Sequence, residues 1–242
     1  MLEDIKKKIK DNTNCELSID ELIELNDLDY NQLVEIFGKN YVAQSLDEIT
    51  VDTLVYIGSL ELEEGLPTYN LKYIFGSLEY KGENIVNLEN LRFIGNSFTF
   101  PNVKDLSELS ELFENREYML YAVKQNGYAL QFASEELRND REIVLEAVKK
   151  DGWTLKYASE ELKNDREIVL EAVKQNCNAI KYASEKLKND KEVVLAVVKQ
   201  NCYALADASA ELKNDREILL EAVKQNGFAL KYASEELKMI KK

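Results

Sequence analysis

The chain has 242 residues, 45% of them hydrophobic, with no histidine and a formal net charge of −14. The absence of histidine excludes Ser/His and Cys/His nucleophile pairs and imidazole metal sites, and no glycine-rich phosphate-binding loop occurs. Three cysteines without metal or disulfide spacing, and no apolar run long enough for a membrane span, further predict a cytoplasmic protein with no catalytic residue, cofactor or metal site.

Residues 1–50 are predicted to form short helices. Apolar residues at helical spacing indicate helices over 2–9 and 30–37, and a further helix that begins at Ser18. Asp27 and Asp29 are predicted as caps, because their carboxylates can accept hydrogen bonds from the free amides of a helix start. The four lysines among the first ten residues are predicted to be solvated helix charges, too few to bind nucleic acid directly within an acidic region.

Residues 53–103 contain three copies of an alternating pattern: TLVYIGSLEL, NLKYIFGSLEY and NLRFIGNSFTF. Leu54, Leu71 and Leu91 mark the copies at separations of 17 and 20 residues. Each copy has β-favouring residues, then a glycine at a bend, then a second short alternating run. The pattern resembles a degenerate leucine-rich repeat, which implies three stacked β-rich coils.

Alternation in these coils predicts an acidic ridge on one side of the sheet. Leu60 and Leu62 point to one side and the glutamates between and after them to the other. The predicted acidic ridge consists of Glu61, Glu63, Glu64 and Glu79. It either binds a partner or protects an exposed sheet edge from aggregation. A connecting helix over 104–114 is predicted to join the coils to the next region.

Residues 116–242 repeat one 25-residue sequence five times without an insertion. The copies start at Arg116, Arg141, Arg166, Lys191 and Arg216. A fixed period of this size is typical of stacked supersecondary units, so we expect an α-solenoid of five helical-hairpin repeats. The whole chain is therefore predicted to be mostly α with a small β-rich segment, divided into domains 1–115 and 116–242.

Each repeat carries signals for the start and end of its first helix. A polar cap precedes each copy: Asn115, Asp140, Asp165, Asp190 and Asp215. Gly127, Gly152 and Gly227 are predicted to close the first helix in a left-handed conformation. Where Cys177 and Cys202 replace the glycine, either Asn176 and Asn201 take that conformation or the turn has a different shape. A second, shorter helix follows, and Ser134 either continues it or caps a new one.

The string EAVKQNGFALKYASEELK, at residues 221–238, and its copies resemble a bacterial and viral helical-repeat family catalogued as a domain of unknown function. The resemblance covers residues 116 to about 240. It implies an interaction repeat without a catalytic motif.

The charge is divided unequally between the two predicted domains. Residues 1–115 carry 23 acidic and 9 basic side chains, a balance of −14, whereas residues 116–242 carry 22 of each. This asymmetry predicts an acidic inhibitor or modulator that docks on a basic surface of a nucleic-acid-handling protein. The alternatives are a generic repeat scaffold or effector-like adaptor that binds through the solenoid face, and a carboxylate-based hydrolase.

Repeat four departs from the consensus and is a second candidate for partner contact. It has Ala196, Ala206, Asp207 and Ala210 where the consensus has Glu, Lys, Tyr and Glu. Either a partner contact or drift in a redundant array accounts for these changes. Asp207 is therefore included with the acidic ridge among the predicted partner-binding residues.

Overall fold

A computed structural model of the chain describes residues 2–12, 15–45, 48–50, 52–62, 70–83, 88–100, 107–200, 209–225 and 227–232. The chain is mostly helical, with a small segment of parallel strands and a C-terminal region of helical repeats. It divides into two compact units, Met1–Gln125 and Asn126–Lys242. The first helix of the first predicted repeat thus lies in the N-terminal unit, although the sequence placed the domain boundary at 115/116.

Three short helices open the N-terminal unit, as predicted: α1 (Leu2–Asp11), α2 (Ile19–Asn26) and α3 (Tyr30–Phe37). Each presents apolar residues at helical spacing on one face. The fully buried members of these faces are Ile5, Ile9, Leu22, Leu25 and Leu33. The apolar faces therefore form the core of this part of the unit.

Two of the predicted caps are capping boxes. The Ser18 hydroxyl accepts a hydrogen bond from the Glu21 amide at 3.3 Å, and the Glu21 carboxylate accepts one from the Ser18 amide at 2.8 Å. Asp29 and Gln32 form the same reciprocal pair, with both bonds at 2.9 Å. Asp27 does not start a helix; it lies at the end of α2.

The strands of the N-terminal unit form two parallel sheets. The first has the order β1 (Val42–Ala43), β2 (Val55–Ile57), β4 (Tyr73–Phe75) and β6 (Phe93–Ile94). The second has the order β3 (Leu60–Leu62), β5 (Leu78–Tyr80) and β7 (Phe98–Thr99). Each copy of the alternating pattern therefore gives one strand to each sheet.

In the structure the first two copies are offset along the chain by one residue more than the separation of Leu54 and Leu71 predicts. Val55 lies opposite Tyr73, so counting back two residues on both strands places Thr53, not Leu54, opposite Leu71. Thr53 is 1% exposed, and its hydroxyl accepts a hydrogen bond from the Thr50 amide at 2.9 Å. Because its hydroxyl is satisfied, a threonine can occupy a buried position that is leucine in the other copies.

Glycines occupy the predicted bends between the two sheets. Gly58 and Gly76 have φ values of +104° and +154°, a region that side chains with a Cβ rarely adopt. A Cβ at Gly76 would also lie 2.0 Å from the Gly58 carbonyl oxygen. At least at this bend, stacking of the copies requires glycine.

Helix α5 (Arg116–Gln125) packs on the strands, which explains why it belongs to the N-terminal unit. The Tyr118 hydroxyl donates a hydrogen bond to the Ile94 carbonyl at 3.4 Å, and the Tyr121 hydroxyl donates to the Gly95 carbonyl at 2.5 Å. Before it, the predicted connecting helix consists of a 3-10 helix, Ser107–Leu109, followed by α4 (Ser110–Glu114). Residues 104–106 of that prediction lie outside the described residues.

The C-terminal unit repeats three kinds of element rather than a simple helical hairpin. A long helix comes first: α7 (Arg141–Lys150), α8 (Arg166–Gln175), α10 (Lys191–Val198) and α12 (Arg216–Gln225). A six-residue 3-10 helix is described at Gly127–Phe132, Gly152–Tyr157, Cys177–Tyr182 and Gly227–Tyr232. The third element is short: α6 (Glu135–Arg138), the 3-10 turn Leu162–Asn164, α9 (Glu185–Lys188) and α11 (Ala210–Lys213).

Serine separates the second and third elements of each repeat. The Ser134 hydroxyl accepts a hydrogen bond from the Leu137 amide at 3.3 Å, and the Ser159 hydroxyl accepts one from the Leu162 amide at 3.2 Å. The question that the sequence left open at Ser134 is thereby answered, since the serine caps a new turn.

All five predicted caps of the long helices are confirmed. Asn115 accepts a hydrogen bond from the Tyr118 amide at 2.9 Å, and the four aspartates each accept two amide bonds. The predicted apolar face is also buried, as Ile143, Val144 and Ala147 show in α7.

The predicted left-handed helix ends are wrong. Asp151 and Asn176, which end α7 and α8, are extended, with φ values of −153° and −149°, and Gly152 has no positive φ. Gly152 is needed for a different reason: a Cβ there would lie 2.1 Å from the Ala172 carbonyl oxygen of α8. Its missing side chain lets neighbouring repeats approach closely.

Ion pairs link the starts of successive long helices. Arg141 pairs with Asp165 at 3.1 Å and also with Glu167. Arg166 repeats this arrangement on the cap of α10, and Lys191 repeats it on the cap of α12. These pairs are exposed, so each contributes little energy, but together they fix the register between repeats.

Candidate functional site

The acidic ridge is formed by strands β3 and β5, which are neighbours in the second sheet. Glu61 lies directly opposite Glu79 in the parallel register. Leu60, Leu62 and Leu78, which flank these glutamates, are about 1% exposed. The alternation that the sequence predicted is therefore confirmed here, because the apolar residues enter the core and Glu61 faces solvent.

The ridge is short in the described part of the chain. Thr99 of β7 occupies the next position in register after Glu79, so the row of carboxylates ends there. Glu63, Glu64 and Asp207 lie outside the described residues. Of the five predicted partner-binding residues, the structure thus brings together Glu61 and Glu79.

Lys81 contributes to the ridge and was missed by sequence reasoning. Its ammonium lies 2.6 Å from the Glu61 carboxylate, and both side chains are more than 40% exposed. The signal was present, because Lys81 follows Glu79 by two residues and therefore shares its side of the strand. Lys81 offsets part of the repulsion between the two glutamates.

Two of the four lysines near the N-terminus, Lys6 and Lys8, are paired with carboxylates. Lys6 contacts Glu3 at 3.3 Å and Glu35 at 3.6 Å, and Lys8 contacts Glu21 at 3.0 Å. The hydrogen bond with Glu3 is the main reason that the pKa of Lys6 is raised. These ion pairs lie on the surface of helices, and the expectation that the lysines do not bind nucleic acid stays a prediction.

A polar cleft of about 460 Å³ in the N-terminal unit is lined by Lys72, Tyr73 and Arg92, among other residues. Burial, together with the charge of Arg92, lowers the pKa of Lys72 in this cleft, while burial raises the pKa of Tyr73 to about 12. Arg92 is paired with Glu111 at 2.5 Å. No group of three or more acidic or cysteine side chains in the described ranges is arranged to hold a metal ion.

The cysteines differ from the sequence expectation. Cys177 is disulfide-bonded, whereas Cys15 is a free thiol. The cysteines therefore no longer support the predicted reducing compartment, and the cytoplasmic assignment stays a prediction. Within the described ranges, no helix has both the length and the apolar character needed to cross a bilayer.

One comparison with known proteins gives a match. The profile of a family described as "Domain of unknown function (DUF4116)" matches residues 115–163, 140–188, 165–212 and 190–238. Successive matches begin 25 residues apart, the period read from the sequence, and together they extend over more than half of the chain. No curated protein and no solved structure matches the chain.

Proposed function

We propose, from the premise that the chain belongs to the DUF4116 family, that it is a non-catalytic protein-binding module. In this proposal the acidic N-terminal half docks on a basic surface of a partner protein that handles nucleic acid, and thereby inhibits or modulates it. The five repeats form an α-solenoid that adds shape and contacts, and three leucine-rich-repeat-like coils present the ridge.

The observation that carries the proposal is the pairing of Glu61 with Glu79. Two carboxylates on adjacent strands repel each other, and opposed like charges destabilise a sheet by about 0.2–1 kcal/mol. The core side of both strands is already filled by apolar residues, and the ion pair of Glu61 with Lys81 offsets only part of this repulsion. Local arrangements that cost stability without a structural return are typical of functional sites.

The chemistry of the ridge fits a cationic protein surface. Carboxylates accept hydrogen bonds from lysine and arginine, and arginine binds them in a two-pronged geometry. The excess of 14 negative charges in residues 1–115 would also attract such a surface over a longer range and accelerate encounter. A groove that normally binds phosphates offers this combination of cations.

Salt dependence tests this proposal. The chain is used as bait in native cell lysate at about 50 mM and about 500 mM salt, because charges separated by more than about 10 Å are screened at 0.1 M salt. A partner held by the acidic half is expected in the low-salt eluate and strongly reduced in the high-salt eluate. Equal capture at both salt concentrations would favour the alternative of a scaffold or adaptor that binds through an apolar solenoid face.

A further inference from the structure

The 3-10 helices of the C-terminal unit carry a partly exposed set of aromatic and basic side chains. We call this set the aromatic–lysine row, and it consists of Tyr128, Trp153, Lys156, Tyr157, Lys181 and Tyr182. The residues are at the second, fifth and sixth positions of three successive 3-10 helices. The four rings are half-buried, and both lysines are exposed.

The row connects one 3-10 helix to the next through ring contacts. Tyr128 and Tyr157 have ring centroids 6.4 Å apart at an interplanar angle of 76°. One repeat further on, Trp153 and Tyr182 are 5.8 Å apart at 65°. The same edge-to-face contact is thus made twice in succession.

A lysine lies over the rings at each of these contacts. The Lys156 ammonium is 4.3 Å from the Tyr157 ring centroid and 6.0 Å from that of Tyr128. The Lys181 ammonium is 4.0 Å from the Trp153 centroid and 4.8 Å from that of Tyr182. These cation–π contacts hold two exposed charges in fixed places at the same position of neighbouring repeats.

Neither lysine is paired with a carboxylate in the part of the chain that the structure describes. By contrast, Lys149 and Lys174 on the long helices are paired with Glu146 and Glu171, at 2.7 Å and 3.1 Å. Asp151, a carboxylate beside the row, accepts a hydrogen bond from the Trp153 amide at 2.8 Å as a helix cap. The row therefore presents two positive charges whose neighbours are mainly aromatic rings.

Stacking of the repeats does not require the row. At the next contact in sequence, repeat three has Asn178 in place of the first aromatic residue, and repeat four has Ala206 and Asp207 in place of lysine and tyrosine. The 25-residue period continues through repeat four without this lysine and tyrosine, and repeat five again has Phe228, Lys231 and Tyr232 at the three positions. The row described here therefore ends at repeat three, because repeat four lacks the lysine and the tyrosine that would continue it.

We propose that the aromatic–lysine row binds an extended acidic peptide segment of another protein. Neighbouring helices pack about 8–10 Å apart, so equivalent lysines of adjacent repeats have a spacing close to that of residues i and i+3 in the extended polyproline II conformation, which lie on the same side about 9 Å apart. Acidic side chains at that spacing can reach both ammonium groups, and the rings offer apolar contact to the residues between. A single-stranded nucleic acid is less suited, because a lysine already covers a face of the rings on which its bases would stack.

The chain contains a single tryptophan, Trp153, and it lies in the row. Its fluorescence can therefore report binding at this surface. The probe is a dye-labelled synthetic peptide with glutamate at every third position and alanine or proline between, and its anisotropy gives an independent binding curve. A peptide with lysine in place of glutamate and an oligothymidylate serve as comparison ligands.

We expect the acidic peptide to change Trp153 fluorescence saturably, in parallel with the anisotropy. Lys156→Gln combined with Lys181→Gln should weaken binding about tenfold or more, because both charge-assisted hydrogen bonds are lost. The matched control is Lys149→Gln combined with Lys174→Gln, which removes the same charge at the same 25-residue spacing and should leave the affinity unchanged. Circular dichroism checks that both variants fold.

Three outcomes would overturn the proposal: no saturable binding of the acidic peptide, equal weakening by both double variants, or preferential binding of the oligothymidylate. Association of the chain with itself through the row, seen by sedimentation as a dimer that Lys156→Gln and Lys181→Gln abolish, would also overturn it. This inference is independent of the acidic ridge, since the ridge binds cations and the row binds anions. Failure of one therefore leaves the other standing.

Discussion

Adding one methyl group at Gly152 should destabilise the C-terminal unit. A Cβ at this position would lie 2.1 Å from the Ala172 carbonyl oxygen and 3.0 Å from the carbonyl carbon. Both are backbone atoms, so α8 has to move before the methyl group fits. Overpacking costs about 1–3 kcal/mol, and an approach this close places Gly152→Ala near the upper limit. At about 2–4 °C per kcal/mol for a chain of this size, the melting temperature should fall by about 6–12 °C.

Gly227→Ala is the matched control, because Gly227 has the same position in repeat five. Among the described residues no atom lies within 4 Å of a Cβ there, and its φ is not positive. This variant should be neutral or stabilising by about 0.4–1 kcal/mol, since alanine loses less backbone entropy on folding. Both variants are compared with the wild type by thermal and urea unfolding, followed by far-ultraviolet circular dichroism. Equal midpoints for the two variants would refute the close packing of repeats at Gly152.

Four other changes have defined outcomes. Asp165→Ala should lower the unfolding free energy by about 0.5–2 kcal/mol through loss of the helix cap, whereas Asp165→Asn should cost less in thermal unfolding; equal losses would assign the effect to the ion pair with Arg141. Burial alone would raise the pKa values of Asp165 and Asp190, which cap α8 and α10, but amide hydrogen bonds and the cationic partners lower these pKa values. The pKa of Asp215, which caps α12, is lowered by its hydrogen bond with Lys191. The folded-state pKa values of these aspartates lie below the ordinary value of 3.8. The stability that the aspartates contribute is therefore present above that pH and is lost as the pH falls below about 4. An unchanged urea midpoint between about pH 5 and pH 3 would contradict this expectation. Glu79→Lys should raise the unfolding free energy by about 0.2–1 kcal/mol by relieving repulsion, and a lower unfolding free energy in urea would show that the repulsion is negligible. Deletion of residues 216–242 should expose the buried valines of α10 and lower both solubility and the unfolding midpoint, so a monomeric product with an unchanged midpoint would contradict the nearest-neighbour packing of repeats.

Features that depend on local hydrogen bonding were predictable from the sequence. A short acceptor before an apolar helical pattern has few alternatives, and for this reason Ser18, Asp29 and Asp165 were identified correctly as caps. The burial of side chains also follows from the spacing of apolar residues, as the alternation of buried and exposed residues around Glu61 shows. In both cases the residue's neighbours in sequence determine its environment.

Features that depend on contact between repeats could not be read from one repeat. Gly152 occupies a site where a left-handed helix end is common, but its conformation is set by the approach of Ala172 from the next repeat. Thr53 does not resemble the leucines of the other copies in the sequence. Its burial is possible because its hydroxyl accepts a hydrogen bond from the Thr50 amide, which the repeat pattern does not show. Likewise, Lys156 and Lys181 each lie over an aromatic ring of the preceding repeat, so only the three-dimensional stacking reveals the row.

The central claim is that the acidic ridge carries recognition, and charge reversal tests it most directly. Glu61→Lys with Glu79→Lys reverses the two described ridge charges. The control, Glu160→Lys with Glu185→Lys, reverses two exposed glutamates of the repeats that are also paired with lysines. The measurement is the amount of each protein captured from native lysate by wild type, ridge variant and control, quantified by mass spectrometry at low salt. The account predicts a basic protein captured by wild type and control and lost from the ridge variant; a partner lost from the control but retained by the ridge variant would contradict it.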